Sequence, residues 1–186
     1  MTSDKDDYSI QLDPETKMHC TLYLFKDVEN TGEIRRKVMS GDIACCILKP
    51  TYIIDPFQIV IAANKAAINE SCSRLITKNK YTEIIFYLSM SKNISKSLRD
   101  FGTSENDKKM LIVTIHEGEK QDSLSKMIVD NVKGKRLSLM ELKELTDLEV
   151  AKRYYKIDNE ELNVSCCIDS IISRIACKDF SQILRN

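Results

Sequence analysis

The densest run of apolar positions lies between Ile53 and Ile68, and the rest of the hydrophobic pattern is arranged around it. Asp55 can accept hydrogen bonds from the first free N–H groups of a helix, and Pro56 suits the first helical position, where no N–H is needed. Phe57, Ile59, Val60, Ile61, Ala62, Ala63, Ala66, Ala67 and Ile68 then cover most of a helical wheel. Only Gln58, Lys65 and Asn69 align as a polar stripe. A helix apolar nearly all round is a buried one, so this segment is expected to be the central helix of the domain, running to about Cys72. Its alanines would let neighbouring backbones come close.

Around it, Met18 to Lys26 alternates with a period of two and predicts a strand covered on both faces. Thr31, with Glu33 nearby, begins a helix through Ile34 and Val38 that stops at Gly41. Ala44 to Tyr52 reads as an apolar connector. Tyr81 to Ser89 predicts a second strand, and Asn93 or Ser95 caps a short helix bearing Ile94, Leu98 and Phe101. Gly102 is expected to supply a left-handed stop there. Met110 to Ile115, a continuous apolar run, predicts a third strand inside a sheet. Helical segments follow at Glu119 to Val132, ended by Gly134, and at Leu139 to Leu145. Thr146 and Glu149 have capping-box spacing for a helix through Tyr155. The last helix is the cleanest amphipathic pattern: Val164, Cys167, Ile168, Ile171, Ile172 and Ile175 share one face. The expected fold class is α/β, a small mixed β-sheet packed with helices around a central buried helix. It forms a single domain over 18–180, with a disordered acidic segment at 1–17 and a tail at 181–186 that could dock a partner.

Composition narrows the classes. A chain of 186 residues buries about 70% of its extended-chain surface as one domain, and its 5 glycines and 3 prolines leave no low-complexity linker. The 28 basic and 28 acidic residues cancel, which argues against attachment to nucleic acid or membrane by bulk charge. The seven cysteines are odd in number and form no Cys-x-x-Cys. Together with an N-terminus lacking a signal-peptide pattern, this suits reduced thiols in the cytoplasm and nucleus. No apolar run approaches the ~18 residues of a membrane span.

Candidate chemistry is sparse. His19 and His116 are the only histidines, and His116-Glu117-Gly118-Glu119 lacks the second histidine of a zinc-protease helix. Scattered glycines make no phosphate cradle, and no cysteine spacing suggests a metal site. No cofactor is expected, and no enzymatic activity; the alternatives are an interaction module without RNA binding, or a small-molecule enzyme using the Asn64/Lys65 region. Asn64 falls on the apolar side of the central helix, where it either bonds internally to a loop or lines a small polar pocket with Lys65. The basic run from Lys65 to Arg99 is either a solvated face or a nucleic-acid surface. The apolar face of the last helix is either core or interface, and Phe180, Ile183 and Leu184, apolar so near the end, favour docking on something.

Several blocks then occur in a recognisable order. They are Leu24-Phe25-Lys26-Asp27-Val28, Ile34-Arg35-Arg36-Lys37, Asp55-Pro56-Phe57-Gln58-Ile59, Ala62-Ala63-Asn64-Lys65-Ala66, Thr82-Glu83-Ile84-Ile85-Phe86, Phe101-Gly102, Glu117-Gly118-Glu119-Lys120 and Arg174-Ile175-Ala176-Cys177-Lys178-Asp179. Together they resemble the TPRKB-type PRPK-binding family, the small non-catalytic subunits of the KEOPS (EKC) complex, over roughly Tyr23 to Phe180. The resemblance implies a mixed α/β fold and direct contact with the small lobe of the atypical kinase PRPK. Other KEOPS subunits, including the threonylcarbamoyl transferase, would be indirect partners in modifying adenosine 37 of tRNA. It also implies help in recruiting tRNA, including its 3′ CCA end. On that basis Ile168, Ile172, Ile175, Phe180, Ile183 and Leu184 are expected to anchor the kinase. Lys65, Lys78, Lys80, Lys96 and Arg99 are expected to meet tRNA, with Tyr81 and Phe101 as stacking candidates.

Overall fold

The computed structural model describes residues 8–180. In chain order its elements are β1 (Tyr8–Gln11), β2 (Met18–Lys26), α1 (Thr31–Ser40), β3 (Cys46–Leu48), α2 (Pro56–Ser71), α3 (Lys80–Leu88), α4 (Ile94–Phe101), β4 (Met110–Glu117), α5 (Gln121–Asn131), β5 (Lys135–Leu137), α6 (Leu142–Leu145), α7 (Leu148–Tyr155), α8 (Asn159–Leu162) and α9 (Cys167–Ala176). Short 3-10 turns lie at Pro50–Tyr52, Gly118–Lys120 and Leu139–Glu141. The α/β class holds, with described pairings that are antiparallel throughout rather than mixed. The sheet runs β1-β2-β4-β3, and β5 pairs with the far end of β2.

Strand alternation explains the two layers. Cys20, Leu22 and Leu24 of β2, with Leu111, Val113 and Ile115 of β4, face the core that contains α2. Tyr23, Phe25, Met110 and Ile112 face a second cluster with Ile34 of α1 and Ile128 of α5. Both faces of β2 are therefore covered, as its mixed composition predicts. Among the described residues no helix is long and apolar enough to cross a membrane.

The central helix starts where the sequence places it: the Asp55 side chain accepts from Phe57 N, and Pro56 is the first helical residue. Ile59, Ala62, Ala63 and Ala66 are fully buried. The polar stripe is the surprise. Gln58 has no exposure. Its Oε1 accepts from Ile54 N at 2.8 Å, and its Nε2 donates to Tyr52 O at 3.1 Å and to the Tyr155 hydroxyl at 3.3 Å. That hydroxyl donates to Leu88 O at 2.7 Å. One amide thus ties the start of α2 to α7 and, through Tyr155, to the end of α3.

Four expectations need correcting. Residues 80–88 form α3, not a strand: Asn79 caps it by accepting from Thr82 N, and Glu83 to Leu88 are all buried. A short, fully buried apolar run carries no periodicity to separate helix from strand. Residues 8–17, expected within the disordered segment, instead pair as β1 with β2 (Tyr8↔Leu22, Gln11↔His19). Leu12 is buried behind them, while the acidic Asp13 and Glu15 occupy the connecting turn; residues 1–7 lie outside the described residues. Gly102 is extended rather than left-handed, ending α4 by bridging to Leu48; a Cβ there would meet Leu98 O at 2.5 Å. The cap of α7 is Asp147, accepting from Val150 N, because the Thr146 hydroxyl donates instead to Ile53 O.

Replacing Gln58 by Ala should take away the partner of the Ile54 N–H and of the Tyr52 carbonyl, and one of the two bonds of the Tyr155 hydroxyl. We expect a loss of about 2–3 kcal/mol in urea unfolding; a change under ~0.5 kcal/mol would mean that this amide is not the tie described.

Candidate partner-docking surface

Helix α9 packs against α2 and α3. Its 3.6-residue period turns Ile171 and Ile175 inward, both almost completely buried, and leaves Ile168 and Ile172 partly exposed. Ile175 is therefore core, and it cannot serve as the kinase anchor that the sequence suggested. Val164 precedes the helix and is exposed. Phe180, just past the end, is 63% exposed. Ile183 and Leu184 lie outside the described residues.

A second apolar stripe lies alongside. Phe57, 43% exposed, and the partly exposed Ile61 and Ile68 follow i, i+4, i+11 spacing along α2, which places them on one face. Lys65 sits between them and reaches across to α9, donating to Ala176 O at 3.0 Å and pairing with Asp179 at 2.6 Å. The two stripes thus flank one inter-helix seam. Sequence reading missed the α2 stripe because it took a nearly all-apolar helix as buried on every side. The spacing of Phe57, Ile61 and Ile68 was the available signal.

The seam is held by a polar chain. Asp179 accepts from the Tyr87 hydroxyl at 2.9 Å, and Asn69 donates to that hydroxyl at 2.7 Å and to Glu83 at 3.2 Å. Fully buried Glu83 also accepts from Thr77 N and Ile76 N. In the last turn of α9, Arg174 grips Glu161 of α8 through two bonds of 2.6 and 2.7 Å, and holds the Glu161 carboxyl down at about 2. Bidentate geometry makes this pair stronger than a single contact.

The expected cationic set is divided. Lys65 is engaged at the seam, and Lys80 pairs with Glu70 at 2.8 Å, its side chain only 18% exposed. Lys78 is exposed in the loop before α3. Lys96 pairs with Asp100 on the surface of α4, and Arg99 is exposed beside it. Lys49, whose ammonium donates to Arg99 O at 3.3 Å, shares a cavity of about 260 Å³ with Lys108 and Lys109. Three cations absent from the sequence reading therefore gather with Asp107 where the end of β3 meets the start of β4; no local pattern announces them. The stacking candidates are withdrawn. Phe101 is fully buried, and Tyr81 packs on the core with its hydroxyl bonded to Ile115 O.

Other candidate chemistry resolves into structure. Asn64 accepts from Asp13 N at 2.7 Å, the internal bond to a loop, and so pins the β1–β2 turn. Neither Asn64 nor Lys65 lines the cavity of about 330 Å³ by Tyr8, Ile54 and Met140. Buried Cys20 and Cys45 have thiols pushed up to about 12 by desolvation, the opposite of activation. His116 is buried, bonded to the Thr21 hydroxyl and Glu117 O.

Comparison with known proteins places this geometry. The family model described as kinase binding protein CGI-121 matches residues 25–179. The chain is 35% identical over 159 residues to the EKC/KEOPS complex subunit TPRKB of Danio rerio, covering 86% of this chain and 90% of that protein. It is 28% identical over 180 residues to the EKC/KEOPS complex subunit cgi121 of Schizosaccharomyces pombe, covering 92% and 99%. It is also 25% identical over 146 residues to the corresponding subunit of Yarrowia lipolytica, covering 77% and 83%.

The depressed Glu161 value sets an acid limb. The stability this pair contributes is fully present above the ordinary value near 4.5 and is lost as pH falls through about 2. Glu161→Gln should flatten that part of the stability–pH profile, measured by urea midpoints between pH 2 and 6. An unaltered slope would deny the pair this role.

Proposed function

Because the chain belongs to the CGI-121 family of kinase binding proteins, we propose that it is a non-catalytic subunit of an EKC/KEOPS complex and receives a PRPK-type kinase on its α2–α9 face. The observation that carries this reading is the pair of uncovered apolar stripes, Phe57, Ile61 and Ile68 beside Ile168, Ile172 and Phe180. Isolated exposed apolar residues need no explanation, but a rimmed cluster on two adjoining helices suits a protein partner. Ile183 and Leu184 would extend it. The family's own motif residues, Asn64, Lys65, Lys178 and Asp179, are spent on internal bonds, which agrees with a scaffold rather than a catalyst.

The finer reading concerns tRNA, the substrate on which the complex installs threonylcarbamoyl at adenosine 37. Lys49, Lys108 and Lys109 around one cavity, and exposed Arg99, whose main-chain oxygen Lys49 reaches, support phosphate contact, with exposed Lys78 and Lys96 as separate contacts. Lys65 and Lys80 are not retained, since both already hold internal carboxylates.

Ile172→Arg and Phe57→Asp should each weaken kinase binding at least about tenfold, ~1.4 kcal/mol, with an unchanged melting curve. Ile175→Arg should instead unfold the domain. Wild-type affinity in both surface variants, by isothermal titration with the kinase, would overturn the assignment. For tRNA, Arg99→Ala or Lys108→Ala should each lower the slope of log affinity against log salt by about one; an undiminished slope in both removes this cluster from the reading.

A further inference from the structure

The two residues before Phe180 are each held by several hydrogen bonds to other elements. Lys178 is 6% exposed. Its ammonium donates to the main-chain oxygens of Phe86, Ser89 (2.7 Å) and Ser91 (2.9 Å), and lies 3.7 Å from the centre of the Phe86 ring. These carbonyls belong to the last turn of α3 and the segment leading to α4, where the helix leaves acceptors without internal partners. Asp179 turns the other way, onto Tyr87 of α3 and Lys65 of α2. Burial draws the Lys178 pKa down to about 7, against the pull of Asp179 and Glu83.

Burying an ammonium is unfavourable, and an apolar residue would close α9 onto α3 more simply. What the charged dipeptide adds is a fixed exit point, because two adjacent side chains are anchored in opposite directions by five hydrogen bonds to α2, α3 and the segment between α3 and α4. We propose that Lys178 and Asp179 are positioning residues that present Phe180 at the edge of the α2–α9 face without touching the kinase themselves. This rests on the docking reading of that face.

The test is a double-mutant cycle on the full chain, read by isothermal titration with the kinase. Asp179→Asn and Phe180→Ala should each reduce affinity about tenfold. Adding Asp179→Asn to Phe180→Ala should cost no more than a further twofold, since there is then nothing left to position. Full additivity would mean that Asp179 acts through the general fold, and would overturn the proposal. Hydrogen exchange in the free protein gives a second reading: Asp179→Asn should accelerate exchange at 177–180 while sparing α2, and unchanged exchange there also overturns it. If Phe180→Ala binds like the wild type while Ile172→Arg does not, the docking face stands and the positioning role falls. If neither variant loses affinity, both fall. Lys178→Met should reproduce the Asp179→Asn pattern if it folds; Asp179→Asn, which keeps the side chain's size, decides the matter if it does not.

Discussion

Close packing of α2 against the sheet is the constraint on which the remaining structure depends. Ala62, Ala63, Ala66 and Ile59 are fully buried, and small side chains there bring the helix backbone near its neighbours, where any added methylene would strain a core already at native density. Gln58 itself has no exposure, so it must satisfy its amide inside the protein. It does so by bonding Ile54, Tyr52 and Tyr155, and the turn before α2 and the helix α7 are thereby located. Helix α3 then packs on α2, and α9 closes over both.

From this packing follows a division of labour between buried and exposed side chains. Polar residues that look chemically promising in one dimension are joined to each other: Glu83, Asn69, Tyr87, Asp179 and Lys65 form one chain of bonds. In a low-dielectric setting a satisfied network of this kind rigidifies, whereas a half-satisfied one would be costly. It occupies Lys65, Glu83 and Asp179 with one another's neighbours at the seam. What α2 and α9 offer outward is mainly apolar, and what the α4 end offers is mainly cationic. A family of kinase-binding complex subunits fits a molecule whose reactive groups are turned inward and whose binding groups are turned outward.

How far the fold was legible depended on how many independent signals met at one place. At Asp55-Pro56 a cap, a helix-starting proline and an apolar run agreed, and the helix begins there. At β2 alternation alone sufficed because both faces are covered. At 80–88 the apolar run was real but its period was invisible, as every side from Glu83 on is buried; Asn79 was the overlooked cue. At 8–17 acidic composition hid a strand, whose stability comes from β2 rather than from itself. The site was less legible. Amphipathic spacing put Ile168, Ile172 and Ile175 on one face, yet Ile168 and Ile172 stay partly exposed while Ile175 is core.

The sequence by itself determined the α/β class, the central helix, the absence of recognisable catalytic patterns and the family, because local patterning and motif order are properties of the chain alone. Tertiary structure alone decided which apolar stripe of α2 and α9 stays partly exposed, that Lys65 serves Asp179 rather than solvent, and that Lys49, Lys108 and Lys109 share one cavity. Those outcomes depend on which elements come to lie side by side. Burial and pairing belong to two or more distant segments at once, and no single stretch of sequence encodes the neighbour it will meet.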